Sequence, residues 1–297
     1  LLLIFGRMLA GFGFAGLGIA QAALLRQDEN ARQFYMMLMF CAYAVGTFLG
    51  PILADFLMDH HISKVFSMVF LLNVLLTLLV LQTIVYAYVS EAKMIAKKTH
   101  FSWSHSWHSL QQLIQSRDIS ALSGVLLLGN TGWSAMYFFI AILLKTRFSL
   151  TVFETGYWMM FMGIIYLISA TVLNRIINRH IGFSHIVTYM YGLAALTISM
   201  MLIGQSKWFF YTMIVLYVIS NVLSRIAIKQ LYAGLASKDT MGRMMGLSIS
   251  VGMVSMVLGS YFGGVLMSFN QSGNYVLVFV MLLHLLASWM VLRLQVK

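Results

Sequence analysis

The chain alternates between long apolar runs and short polar segments, and nine of the runs are long enough to cross a bilayer. A transmembrane helix needs about 20 mostly apolar residues. The runs cover residues 1–25, 33–56, 65–88, 119–143, 154–174, 184–203, 208–233, 244–268 and 275–293. This pattern predicts an all-α, polytopic membrane protein with nine transmembrane helices surrounded by the lipid bilayer.

The composition excludes a water-soluble domain. Hydrophobic residues make up 61% of the 297 residues and charged residues only 9%, against about 25% charged in a typical soluble domain. The net charge of +11 would suit a nucleic-acid partner only if the basic residues formed a patch on one face. They lie instead between the apolar runs, as loop charges do, so we expect no nucleic-acid partner.

The basic residues in the loops predict the orientation of the chain. Cytoplasmic loops carry an excess of Lys and Arg. One alternate set of loops and the C-terminus hold twelve, which are Arg26, Arg32, Lys93, Lys97, Lys98, Arg117, Arg175, Arg179, Lys238, Arg243, Arg293 and Lys297. The opposite set holds four, which are Lys64, Lys145, Arg147 and Lys207. We therefore expect a cytoplasmic C-terminus, in an integral protein of a bacterial inner membrane.

One long connection divides the chain. Residues 89–117 separate three predicted helices in residues 1–88 from six in residues 118–297, and the charge pattern makes this connection cytoplasmic. The sequence begins at Leu1 inside an apolar run, so we expect that an N-terminal part of the protein precedes it.

The only proline of the chain, Pro51, lies next to Gly50 inside the second apolar run. Proline breaks a helix in water, but neighbouring helices can satisfy the freed backbone groups inside a bilayer. Gly46, Gly50 and Ala54 repeat every four residues, which gives a smooth strip where a second helix can approach closely. Residues 255–264 align with this stretch without gaps, and Ser255, Gly259 and Gly263 repeat the strip.

Arg7 and Asp55 are charged residues inside apolar runs. A charge at that depth costs about 3 kcal/mol or more, so it should face a wet cavity or a partner. Arg7 either belongs to such a cavity or extends to the membrane boundary. Asp55 either pairs with Arg7 or contacts water at a helix end.

Two motifs resemble those of the major facilitator superfamily. The G-x-x-x-G-P spacing of Gly46, Gly50 and Pro51 resembles the fifth-helix motif of this family, in particular that of drug:proton antiporters, although Ala54 and Asp55 stand where that motif ends in two glycines. The first run is similar to the family's fourth-helix pattern, with matches at Leu3, Arg7, Gly11, Gly13 and Ala15.

The resemblance implies a secondary active transporter that works by alternating access between two six-helix halves, with the nine runs as helices four to twelve. It further implies proton-coupled efflux of small amphipathic compounds, with Arg7 at the proton-coupling site. A small-molecule substrate and protons are then the expected partners of a monomer that has no cofactor and no enzymatic activity. A symporter or facilitator that imports a small organic nutrient or anion is the alternative.

Substrate-cavity candidates are polar or aromatic residues near the middle of the runs, where this family binds its substrates. They are Asn130, Trp133, Tyr157, Asn221, Arg225 and Lys229. The two asparagines could equally hydrogen-bond one helix to another, and the two basic side chains could extend to the cytoplasmic boundary. His284, in the last run, is expected to be a packed, neutral histidine.

No metal site is expected. His100, His105 and His108 lie in the long connection, but no fourth ligand accompanies them. The interleaved Trp103 and Trp107 favour an amphipathic segment at the membrane surface. Cys41, the single cysteine, is expected to be a buried thiol.

Overall fold

The computed structural model describes residues 115–237, 240–270 and 272–294. The predictions made for residues 1–114 lie outside this part of the chain. The helices are α1 (Arg117–Phe148), α2 (Val152–Ile168), the π-helix π1 (Ser169–Leu173), α3 (Asn174–Ile177), α4 (Phe183–Ile203), α5 (Lys207–Leu235), α6 (Met241–Phe269) and α7 (Asn274–Leu294). Since α2, π1 and α3 follow one another without a break, they form one rod.

Within the described residues, six rods are long and apolar enough to cross a membrane. Each contains one of the six C-terminal apolar runs, so the all-α prediction and these six helices are confirmed. Helix α1 extends five residues beyond its run because Lys145 and Arg147 belong to its last turn, where positive charge favours the negative end of the helix dipole. The other three predicted helices lie outside the described residues.

The chain turns sharply between α1 and α2, and the residues at the two helix ends explain the turn. The first helix is followed by Ser149 in the left-handed conformation, with φ of 52°, and the Ser149 N–H donates to the carbonyl of Lys145. The second helix starts with a capping box. The Glu154 N–H donates to the Thr151 hydroxyl, while the Glu154 carboxylate accepts the Thr151 N–H at 2.9 Å. So short a connection makes the two helices antiparallel neighbours.

One end of the bundle is held together by Arg147, and we call it the Arg147 end. The guanidinium donates to the carbonyl of Met201 at 2.9 Å and to that of Ser272 at 3.3 Å, and it also hydrogen-bonds the Asn274 side chain. It lies 5.4 Å from the centre of the Phe210 ring. One side chain of α1 thus joins the end of α4 and the starts of α5 and α7.

A hydrogen bond joins two helices at the opposite end of the bundle. The Ser123 and Tyr232 hydroxyls are 2.7 Å apart and connect the start of α1 to the end of α5. We call this the Tyr232 end, and it is the end that the loop charges predict to be cytoplasmic.

Replacing Arg147 with methionine removes three hydrogen bonds and is expected to lower the melting temperature of the purified protein in detergent by at least about 10 °C. Each hydrogen bond to a charged group contributes about 1.5–3 kcal/mol, and about 1 kcal/mol corresponds to about 2–4 °C in a protein of this size. Lys145→Met is the matched control because Lys145 lies in the same last turn and is exposed. An equal change of melting temperature in both variants would mean that the contacts of Arg147 do not stabilise the bundle.

Helix α6 packs on α1 through its smallest residues. Ser255, Gly259 and Gly263 are buried, as the repeat of small residues predicts. A Cβ atom on Gly259 would lie 2.5 Å from the Thr131 carbonyl oxygen and 2.9 Å from the Ala135 nitrogen. The two helix backbones are therefore in contact, which is how small residues bring helices together in a bilayer.

Apolar side chains cover the outside of the bundle. Large ones remain exposed on all six rods, among them Ile142, Phe161, Leu196, Phe209, Val257 and Leu282. Contiguous exposed apolar surface of this extent marks a membrane contact rather than a soluble protein.

The π-helix interrupts the second rod at Ser169–Leu173. The Ser169 hydroxyl is buried and donates to the carbonyl of Ile165 at 2.6 Å. A single π-helical turn inside an α-helix widens the backbone by one residue, and such turns are frequent at functional sites.

Candidate functional site

Polar and aromatic side chains converge inside the bundle, roughly midway along α1, α5 and α7. Asn130 and Trp133 come from α1, Asn221 and Arg225 from α5, and His284 from α7. A polar group in this setting requires hydrogen-bond partners, because no water lies within the hydrocarbon core to replace them. These residues are therefore candidates for a functional site.

The Trp133 indole is the centre of an aromatic stack. Its ring centre lies 6.1 Å from Tyr137 on the same helix and 6.0 Å from Tyr217 on α5, with interplanar angles of 24° and 20°. The Tyr166 ring on α2 approaches at 6.4 Å. Three rods thus contribute rings to one aromatic cluster, in which Trp133, Tyr166 and Tyr217 are buried.

Arg225 adds a positive charge to this group of aromatic rings. Its guanidinium lies 5.8 Å from the centre of the Trp133 ring, within the range of a cation–π interaction. We call Trp133, Tyr137, Tyr166, Tyr217 and Arg225 the Trp133 cluster.

Lys229 follows Arg225 on α5, one turn closer to the Tyr232 end. Both basic side chains are only partly exposed, so two like charges lie close together in the interior of a membrane-spanning bundle.

Asn221 joins α5 to α7. Its Nδ2 donates to the Tyr217 carbonyl at 3.0 Å, and its Oδ1 is 3.1 Å from His284 Nε2. The contact with His284 is a hydrogen bond between helices, and a role of Asn221 in substrate binding stays a prediction. His284 itself is fully buried, as expected of a packed histidine.

Asn130 lies one turn from Trp133 and faces α6. Its Nδ2 is 3.5 Å from the position that a Cβ atom on Gly252 would occupy. Its Oδ1 is buried and has no hydrogen-bond partner among the described residues. This carbonyl oxygen is an acceptor that a ligand or a water molecule can use.

Tyr157 does not join the other candidates. It lies in the second turn of α2, near the Arg147 end, and 53% of its surface is exposed. There it lines a pocket of about 300 Å³ together with Leu150, Glu154, Trp158, Phe161 and Lys207. The Trp158 ring stacks on Tyr211 at 3.6 Å. The structure therefore separates Tyr157 from the Trp133 cluster along the membrane normal.

Four tyrosines of the site were missed from the sequence, and they are Tyr137, Tyr166, Tyr191 and Tyr217. Tyr137 and Tyr217 each lie four residues from a candidate, Trp133 and Asn221, and hence on the same helix face, a signal that could have identified them. Tyr191 had no such signal. It occupies a groove on α1 where a Cβ atom on Gly129 would collide with its ring.

The predicted coupling and motif residues lie outside the described part of the chain. They are Arg7, Gly11, Gly46, Gly50, Pro51 and Asp55. Among the residues that the structure does describe, no group of three His, Cys, Asp or Glu side chains could hold a metal ion.

Solved structures with a similar fold are transporters. A human organic anion transporter, MFSD10 (TETRAN), superposes with a TM-score of 0.73 at 16% identity, over 92% of this chain and 67% of that protein. A bacterial homologue of the iron transporter ferroportin, in its outward-facing state, superposes with a TM-score of 0.60 at 17% identity, over 96% of this chain and 65% of that protein. The inward-facing state of such a homologue superposes with a TM-score of 0.56 at 19% identity, over 86% of this chain and 61% of that protein.

The chain spans about two thirds of the length of these transporters, and at such identities the likeness concerns the fold. No curated protein matches in sequence. The sequence profile of the Major Facilitator Superfamily matches residues 1–260. The chain therefore belongs to the Major Facilitator Superfamily, and this membership supports membrane transport, rather than catalysis, as its activity.

Proposed function

We propose that the chain belongs to a secondary active transporter that exports small amphipathic compounds in exchange for protons. The observation that carries this proposal is the Trp133 cluster, in which stacked aromatic rings and a guanidinium lie together inside a membrane-spanning bundle. Substrate sites of such transporters lie near the membrane midplane.

The cluster offers two kinds of contact to one small molecule. The stacked rings of Trp133, Tyr137 and Tyr217 provide flat apolar surface for an apolar or aromatic group. Arg225 provides planar N–H donors for a carboxylate, sulfonate or phosphate. An amphipathic molecule, which has both an apolar part and a polar part, would satisfy both contacts.

The charge of the cluster favours compounds with an anionic group. Arg225 and Lys229 lie one turn apart on α5, and the two described carboxylates, Asp118 and Glu154, lie in the first turns of α1 and α2. An anion that approaches two partly buried cations gains more Coulomb energy than it would in water. The likeness in fold to an organic anion transporter supports the same preference.

The remaining parts of the proposal concern the whole protein. Residues 1–88 would be the last three helices of the N-terminal half, residues 89–117 the connection, and residues 118–297 the C-terminal half. Alternating access would come from rocking of these halves about a shared cavity, with Arg7 and Asp55 contributing to proton coupling and the C-terminus in the cytoplasm. A bacterial inner membrane would be the location.

Transport by inverted vesicles that contain the full-length protein tests the proposal. Radiolabelled naphthalene sulfonate is a suitable probe because it is an aromatic anion whose sulfonate stays ionised at every pH used. We expect it to accumulate inside vesicles whose interior is acidified, and a protonophore should abolish the accumulation. Ethidium, an aromatic cation, serves as the matched probe and should accumulate at least about tenfold less, the change that 1.4 kcal/mol produces.

Two outcomes would contradict the proposal in different ways. Accumulation of the sulfonate that does not respond to the pH gradient would remove proton coupling and leave an anion facilitator. Preferential accumulation of ethidium would remove the assignment of Arg225 as the group that selects the substrate charge.

A further inference from the structure

His284, on the last described helix, lies in a site built by four rods. His284 on α7 is fully buried. The rings of Tyr191 on α4 and Tyr217 on α5 lie on either side of it, each 5.5 Å away and inclined by 69° and 66°. On α1, a Cβ atom at Gly132 would come within 2.5 Å of the imidazole. Only glycine at that position leaves room for the ring.

Both ring nitrogens of His284 face oxygen atoms that accept hydrogen bonds. Nδ1 is 2.8 Å from the carbonyl oxygen of Val280, and Nε2 is 3.1 Å from Oδ1 of Asn221. The Asn221 side chain is oriented by its Nδ2, which donates to the Tyr217 carbonyl. A neutral imidazole has one N–H and one acceptor nitrogen, whereas an imidazolium has two N–H groups. The observed arrangement satisfies the imidazolium.

Aromatic rings and basic side chains surround His284. The Tyr191 and Tyr217 rings each meet the imidazole in an edge-to-face arrangement. The titratable and charged groups around His284 are Tyr191 from α4 and Tyr217 from α5, with Arg225 and then Lys229 at successive turns of α5 beyond Asn221. Helix α1 contributes glycine at the contact, and the two described carboxylates lie in the first turns of α1 and α2.

A neutral His284 requires a different orientation of Asn221. If the single proton stays on Nδ1, the Nε2 lone pair must accept a hydrogen bond. The Asn221 carboxamide then turns about its last side-chain bond, so that Nδ2 donates to Nε2 and no longer to the Tyr217 carbonyl. Such a rotation exchanges the two ends of the amide and leaves the backbone in place.

We propose that His284 is a proton-binding site of the C-terminal half and that Asn221 responds to its protonation by turning its carboxamide. Binding of the proton forms one N–H bond at Nε2 and breaks no other covalent bond. Histidine is the side chain whose charge changes most readily between about pH 5 and about pH 8. The ligand of this site is therefore the proton itself.

The site is connected to the proposed substrate cavity. Asn221 lies one turn from both Tyr217 and Arg225 on α5, and these two residues belong to the Trp133 cluster. A proton on His284 adds positive charge next to Asn221 and fixes the Asn221–Tyr217 hydrogen bond. The occupancy of the proton site thereby changes the charge and the shape that the cluster offers to a substrate. This consequence rests on the proposed function, whereas proton binding by His284 does not.

Nitrogen NMR of the full-length protein labelled with ¹⁵N-histidine tests proton binding directly. The chain contains eight histidines, and the His284→Gln spectrum identifies the His284 signals by their loss. We expect both His284 nitrogens to carry protons at the acidic end of the titration and only Nδ1 near about pH 8. In Asn221→Leu, which removes the acceptor for Nε2, the Nε2 proton of the wild type should be absent at the same low pH.

Transport provides the second measurement. The KM of the wild type for naphthalene sulfonate should rise by about three- to tenfold as Nε2 loses its proton, which corresponds to about 0.7–1.4 kcal/mol. Because binding effects are reciprocal, a proton that strengthens anion binding is not the one exchanged for the anion, so His284 modulates binding and does not carry the exchanged proton. In His284→Gln this dependence on pH should disappear. His185→Gln is the control because His185 lies in the first turn of α4, stacked on Tyr189, and it should keep the wild-type dependence.

The outcomes separate this inference from the proposed function. A His284 ring that keeps a single neutral tautomer across the whole range overturns the inference, even if proton-driven transport is measured. An unchanged dependence of KM on pH in His284→Gln removes the link to the cavity. Titration of His284 in a protein that shows no proton-driven transport contradicts the proposed function and leaves the proton site established.

Discussion

Replacing Arg225 with methionine is expected to raise the KM for naphthalene sulfonate by about 10- to 100-fold. A hydrogen bond to a charged group contributes about 1.5–3 kcal/mol, and 1.4 kcal/mol corresponds to a tenfold change in binding. Methionine keeps much of the length and the apolar contact with Trp133 but removes the charge. The measurement is the initial rate of uptake by inverted vesicles as a function of probe concentration.

Two further variants show whether the charge or the fold is responsible. Arg225→Lys keeps the charge but loses the planar group that lies 5.8 Å from Trp133, so we expect an intermediate rise in KM. Arg293→Met is the matched control because Arg293 is exposed at the end of α7 and lies over Trp289 at 4.9 Å. If Arg225→Met transports the anion with the KM of the wild type, the Trp133 cluster is not the substrate site.

Replacing Gly259 with alanine is expected to destabilise the bundle by about 1–3 kcal/mol, the usual cost of inserting a methyl group into a filled contact. The new Cβ would lie 2.5 Å from the Thr131 carbonyl oxygen and 2.9 Å from the Ala135 nitrogen. Both are backbone atoms of α1, so the helices themselves must separate. Leucine at the same position should prevent the two helices from packing and greatly reduce the yield of folded protein.

The control for this prediction lies on the same helix. A Cβ atom at Gly246 meets nothing within 4 Å, so Gly246→Ala should stabilise the protein by about 0.5–1 kcal/mol through the higher helix propensity of alanine. The same substitution is thus expected to change stability in opposite directions at two positions of α6. Thermal unfolding in detergent, followed by tryptophan fluorescence, measures both. Equal effects would mean that α6 does not approach α1 through Gly259.

The helices could be predicted from the sequence because lipid imposes a simple rule. Each span must be apolar over about 20 residues, and each of the six C-terminal runs lies inside one described rod. The close contact at Gly259 and Gly263 was also predictable, since small residues four positions apart lie on one helix face.

The site could be predicted only in part. Asn221, Arg225 and Lys229 are four residues apart, so the sequence places them on one face of α5. The inward face of an otherwise apolar helix is not encoded in this way, because lipid and the protein interior are both apolar and leave no periodic signal. For this reason Tyr166 and Tyr191 were missed, and Tyr157 was grouped with residues at a different depth. The contact between His284 and Asn221 joins positions 63 residues apart and depends on the packing of α5 against α7.

The π-helical turn at Ser169–Leu173 has a consequence for the rod in which it lies. An extra residue in one turn rotates everything that follows by about 100° relative to an uninterrupted α-helix. The two segments on either side therefore point their side chains along different directions, and a single rod can present one row of residues to the Trp133 cluster and another row elsewhere. If the extra residue moved along the rod by one turn, the residues between its old and new positions would change the direction they face while the ends of the rod stayed fixed. A rod of this kind can alter its lining by an internal change of winding, without sliding or tilting as a whole.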